Sequence, residues 1–177
     1  MRGAGARDAV KKPESLRRLL AAAVPYLTAN PDRLAVFVDG GQIAGGGGAD
    51  LTFEYRYTLT AVIEEYDGDP DLLMVPVLAW LAEQQPELLE KAEARPFRFT
   101  MELLDGEASD IEIKIEGMAE GVIVTPRAGG GYGVAAVPER PGHGFDRFPD
   151  VPCGARLWQL LMGADMVART SDPAFRP

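Results

Sequence analysis

With 177 residues, 46% of them apolar, the chain has enough core-forming side chains for one domain and is not a disordered polypeptide. Its one cysteine, Cys153, excludes an internal disulfide framework and a cysteine-based zinc site. A net charge of −9 makes the chain a poor candidate for a general nucleic-acid binder, because phosphate neutralisation requires clustered Lys and Arg.

The basic side chains gather at the start, at Arg2, Arg7, Lys11, Lys12, Arg17 and Arg18. The apolar run Leu19 to Val24 is too short for a signal peptide, and Pro25 and Asn30 follow without a cleavage pattern. No segment approaches the roughly 20 apolar residues that span a bilayer, so no membrane partner is expected and the chain reads as cytoplasmic when made. Residues 1–11 read as a flexible basic lead. Pro13, Glu14 and Ser15 then open a helix whose buried stripe is Leu16, Leu19, Leu20, Ala23 and Leu27. Pro25 bends or ends it, and Asn30-Pro31 closes the element.

Leu34 to Val38 reads as a buried strand, Asp39-Gly40-Gly41 as a turn, and Gln42 to Ala44 as a brief return strand. Gly45 to Gly48 reads as a mobile loop. Leu51 to Ile63 alternates strictly. Leu51, Phe53, Tyr55, Tyr57, Leu59, Ala61 and Ile63 take one face, and Thr52, Glu54, Arg56, Thr58 and Thr60 the other. A usual strand has about 5–6 residues, so this one must twist, bulge or project.

Asp67-Gly68-Asp69-Pro70 turns the chain, with Asp69 as N-cap of a second helix through Leu81 that is apolar nearly all round and kinked at Pro76. Phe97 to Leu103 and Ile111 to Glu116 form a hairpin, Val122 to Val124 another strand, and Tyr132 to Val137 an edge strand after the Gly129–Gly131 loop. The fold class is α+β, a mixed or antiparallel β-sheet packed by two main helices. Residues 12–137 form the domain. Residues 138–177 form a Pro/Gly linker and a C-terminal helix over Ala155 to Ala168.

Signatures of chemistry are absent from the sequence. A nucleotide loop needs Gly-Lys-Ser/Thr leading into a helix, whereas Ala49, Asp50 and a strand follow Gly48. Asp67, Asp69 and Asp71 imitate a calcium loop, but Leu72 and Leu78 stand where its Gly and Glu belong. Glu64, Glu65, Glu102, Asp105, Glu107, Asp110, Glu112 and Glu116 fall mainly on the wet face of strands, not in a cleft. His143 sits in the Pro/Gly linker without a rigid neighbour, and Cys153 has no nearby histidine. No catalytic, cofactor-binding or metal residue is expected. Trp80 reads as a core anchor, and Trp158 as a docking residue on this chain or on a partner. Glu54 and Arg56, and Glu112 and Lys114, place opposite charges on the non-core face and are the expected subunit contacts.

Four segments carry a family resemblance: Lys12 to Arg17 (KPESLR), Asn30 to Ile43 (NPDRLAVFVDGGQI), Leu51 to Leu89, and Ala108 to Val124 (ASDIEIKIEGMAEGVIV). In order and spacing they resemble the tail completion protein R family of P2-like contractile-tailed phages. The resemblance implies a structural protein, not an enzyme, with no cofactor. It acts at the head-proximal end of the tail, where it caps the tube and sheath and helps head–tail joining. Tail terminators as a class have a small α/β fold and form hexameric rings. The implied partners are therefore copies of itself, tail tube and sheath proteins, and head–tail connector proteins. An acidic ring would repel passing DNA. The competing reading is a small monomeric binding module or an assembly chaperone for another tail protein.

Overall fold

Alternating apolar and polar residues build most of the molecule, since period two puts one set of side chains on each face of a strand. The computed structural model describes residues 10–45, 51–90, 93–104, 106, 108–137, 159–162 and 165–169. Strands β1 (Leu34–Gly45), β2 (Phe53–Tyr66), β3 (Arg98–Leu103) and β4 (Ser109–Pro126) lie in the order β1-β2-β4-β3. A further strand, β5 (Tyr132–Ala136), pairs with the far half of β4, and every pairing is antiparallel.

Two bulges divide this sheet, and a third register shift falls between Ile63 and Tyr66 at the end of β2. The register slips between Val38 and Gly41 in β1, and β4 carries its extra residues opposite Tyr57 and Leu59 of β2. Gly40 (φ +85°) and Gly117 (φ +78°) supply the left-handed backbone that the two bulges need. Both bulges flank the same stretch of β2, so the sheet divides there. One half holds Leu34–Val38, Leu59–Tyr66, Ser109–Ile115 and β3. The other half, a blade, holds Gly41–Gly45, Phe53–Tyr57, Met118–Pro126 and β5.

These bulges correct two expectations. Asp39-Gly40-Gly41 is not a turn but a bulge inside one 12-residue strand. Ile111 to Glu116 and Val122 to Val124 are not separate strands but one 18-residue strand. In both cases a glycine irregularity flips the side-chain phase, which reads in sequence as a break. β1 is also not a buried strand. It is a sheet edge, and Phe37, Val38 and Ile43 are exposed. Gly117→Val forces a β-branched side chain into positive φ. It is expected to cost about 1–3 kcal/mol, read from the denaturant midpoint.

The helices cover one face. Helix α1 (Lys12–Ala23) ends where Val24 turns extended, and α2 (Pro25–Ala29) restarts at the proline that broke it. Helix α3 (Asp71–Gln84) has Pro70 at its N-cap position, one residue after the expected Asp69, whose Oδ1 accepts the Asp71 N–H at 2.9 Å. Leu16, Leu20, Leu27, Leu73, Val77, Trp80 and Leu81 from the helices meet Leu59, Ala61, Ile63, Ile111, Ile113 and Ile115 from the sheet in one core. The opposite side of α3 is not enclosed, and Leu78 is exposed there. Leu51, expected in the core, is exposed, as are Phe99 and Leu103 of edge strand β3.

Tyr66 closes the core beside α3, stacked edge-on against Tyr26 at 5.3 Å and donating from its hydroxyl to the Asp69 carbonyl. Burial, with Asp69 and Asp67 nearby, pushes its phenol from 10.0 up to about 12. The unfolded phenol ionises at the ordinary value. The contribution is therefore complete below about pH 10 and is lost as pH rises through about 12, some 2–3 kcal/mol in all. Stability measured at rising alkaline pH should fall less steeply in Tyr66→Phe than in the parent.

Of the C-terminal helix expected over Ala155 to Ala168, only 159–162 and 165–168 lie among the described residues, and these are strand rather than helix. The described residues there make two short strands, β6 (Gln159–Met162) and β7 (Asp165–Arg169), paired antiparallel. Gly163 interrupts the apolar run, and a helix carried through it loses about 1 kcal/mol relative to alanine. The loop expected at Gly45 to Gly48 lies outside the described residues beyond Gly45, as does the lead before Val10. Val10 itself packs against the core.

Candidate interaction surface

Because the helices all pack on the Leu59–Ile63 side, the other face of the sheet carries the charged phase of the strands. Glu54 and Arg56 lie on it as expected, joined Oε1 to Nε at 2.6 Å. Lys114 reaches two partners, Glu112 at 3.5 Å and Asp39 at 3.3 Å. The hydrogen bond to Asp39, then Glu112, raises its proton affinity, so it stays charged. The Asp39 contact ties β4 to the β1 bulge across β2. Thr60 lies on this face of β2, directly opposite Lys114, and is fully buried with no partner for its hydroxyl. Thr60→Val removes an uncompensated buried hydroxyl at constant shape. It is expected to raise stability by up to about 1 kcal/mol in a thermal melt.

The other acids do not converge. Glu64 and Glu65 pair with Arg33 at 3.8 and 2.9 Å, Asp110 accepts the Glu65 N–H at 2.9 Å, and Glu116 pairs with Arg98 at 2.8 Å. Among the described residues no group of three or more His, Cys, Asp or Glu is placed to hold a metal. Among them, too, no helix is long and apolar enough to cross a membrane. Asp105, Glu107, His143, Cys153 and Trp158 lie outside the described residues.

One polar cluster went unanticipated. Glu120 points to the helix side of the blade, nearly buried. Its carboxylate accepts from the backbone N–H of Lys11 at 2.7 Å and of Lys12 at 3.4 Å, and from the Tyr57 hydroxyl. It therefore caps α1, which has no side-chain cap of its own, from a distant strand, where the helix dipole favours an anion. The Lys12 side-chain nitrogen is buried with it and donates to Gln85 Oε1 and the Ala119 carbonyl, both at 2.8 Å. Ala119 N–H returns a bond to Gln85 at 3.1 Å. The sequence held a signal for this site: after Gly117 the buried phase reads Met118, Glu120, Val122, Val124, with an acid among apolar residues.

The blade's rim is apolar. Val122 and Val124 at its centre are buried, while Ile43 and Val134 on its edge strands are 65% and 68% exposed. A hollow of about 300 Å³ opens along β1 and β2, lined by Val10, Val38, Gly41, Ile43, Tyr55 and Tyr57.

A half-covered sheet with paired surface charges and an apolar rim has the build of an assembly subunit, and comparison with known proteins agrees. Residues 10–140 match the family model of P2 phage tail completion protein R (GpR), which makes this a phage tail assembly protein. The chain belongs to the P2 phage tail completion protein R family. It is 45% identical over 106 residues to the tail completion protein R of Escherichia phage P2, an alignment covering 59% of this chain and 68% of that relative. No solved structure matches it.

Proposed function

We propose that this protein completes a contractile tail by binding, as a ring of identical subunits that covers the head-proximal end of the tube and sheath. Capping stops further addition of tail subunits and presents a surface to the head–tail connector. The observation that carries this reading is the family match over residues 10–140, which spans the whole sheet and both main helices. The architecture supports it: open sheet edges and an exposed apolar rim are what a subunit uses to hold a neighbour. Glu54, Arg56, Glu112 and Lys114 are the proposed charged contacts on the open face, and Trp158 a contact from the C-terminal extension. The chain acts without a cofactor or catalytic step, in the host cytoplasm during assembly and on the tail afterwards.

Electron microscopy of tails made without this protein tests the reading. Tails of irregular length that fail to join heads are expected, and normal, joinable tails would overturn it. A strictly monomeric protein absent from finished particles would instead favour the assembly-chaperone reading.

A further inference from the structure

We infer that the ring closes through the blade, with β5 of one subunit adding as a strand to β1 of the next. This rests on the ring reading above and names the seam.

Three observations carry it. The first is direction. Across the blade, β1, β2, β4 and β5 alternate strictly, each antiparallel to its neighbour. An even number of alternating strands leaves the two outer strands opposed in direction. When copies are related by rotation alone, β5 of one subunit therefore meets β1 of the next in antiparallel sense, the sense of every other pairing in the sheet. The contact is head-to-tail, so repetition by a rotation that closes gives a ring in which no free edge is left in the blade.

The second is composition. Exposed edges are ordinarily blunted by charge or proline. Edge strand β3 follows that rule with Arg98 and Glu102. The blade's edges do not. Gly41–Gly45 reads GQIAG and Tyr132–Ala136 reads YGVAA, without a charge or a proline.

The third is side-chain placement. Ile43 pairs with Tyr55, and Val134 with Val124, so both edge residues face the helix side. Joined in one sheet, they extend the apolar row that Val124 begins. The backbone is available as well. Val137 N–H donates to the Gly121 carbonyl at 2.8 Å, so by alternation the N–H groups of Ala136 and Val134 point away from β4.

The test uses the full-length protein with Cys153→Ser. Ile43→Cys and Val134→Cys together, treated with a bifunctional thiol cross-linker, should give a ladder of multimers, both as purified protein and on isolated tails. Each cysteine alone should give none. Ile43→Lys and Val134→Lys alter residues exposed in the single subunit, so each should keep the parent circular dichroism and a cooperative melt while abolishing the ring in light scattering. Rings that survive both lysine variants, with no ladder, overturn the seam and leave the ring reading standing. A dimer from one cysteine alone reveals two-fold pairing and overturns it. Cross-linking to a different tail protein assigns the edge to that protein and also overturns it. Tails that are normal without the protein overturn the ring reading itself.

Discussion

Glu120→Ala is expected to destabilise the protein by about 3–5 kcal/mol, a drop in melting temperature on the order of 10–20 °C. The carboxylate is nearly buried and serves the Lys11 and Lys12 N–H groups and the Tyr57 hydroxyl together. Alanine leaves these donors enclosed without an acceptor, beside the buried Lys12 side chain, and water cannot replace the missing oxygens without opening the seam between α1 and the sheet. Glu120→Gln keeps an acceptor and should lose less. Pairing Glu120→Leu with Lys12→Met should cost less than the two single changes added together, because both ends of the cluster leave at once. A melting temperature for Glu120→Ala within a degree or two of the parent would show that the cluster does not latch α1.

Trp80→Ala is expected to cost a further large amount, about 3–5 kcal/mol, read from the urea midpoint. Trp80 is 4% exposed, and its indole N–H donates to Ser15 Oγ at 3.1 Å, joining α3 to α1 above the sheet. Truncation opens a cavity in the core shared by the helices and the sheet, and the surrounding side chains relax only partly into it. Trp80→Phe retains most of the volume and loses the hydrogen bond, so about 0.5–1.5 kcal/mol is expected from that loss alone. For a domain whose net stability is about 5–15 kcal/mol, the alanine change removes a large share.

Local chemistry was legible in the sequence wherever neighbours in the chain decide the outcome. Pro13 and Pro25 set the start and end of α1, and α3 starts within one residue of the expected Asp69, whose side chain accepts the Asp71 N–H. The alternation of β2 placed Tyr57, Leu59, Ala61 and Ile63 in the core, and put Glu54 and Arg56 on one open face. Partners far apart in sequence were not legible. Lys114 finds Asp39 only because a bulge in β1 aims that side chain across β2. The bulges at Gly40 and Gly117 read as breaks because each shifts the apolar phase by one. β1 looked buried from its valines, yet burial depends on having a strand on both sides, and sequence order does not say which strand takes the edge. The C-terminal run misled for a related reason: short apolar stretches fit either period.

The cap on α1 has a kinetic consequence. The acceptor for the Lys11 N–H lies 109 residues downstream. A nascent chain emerges from the ribosome with its first helix already translated but its amino end unsatisfied, and contacts of such sequence separation form slowly. Docking of that helix must wait until the second half of the long fourth strand has been synthesised. Although made before the strands it packs on, α1 should therefore settle after them, and pulse-labelling hydrogen exchange would record its amides gaining protection after those of the central strands.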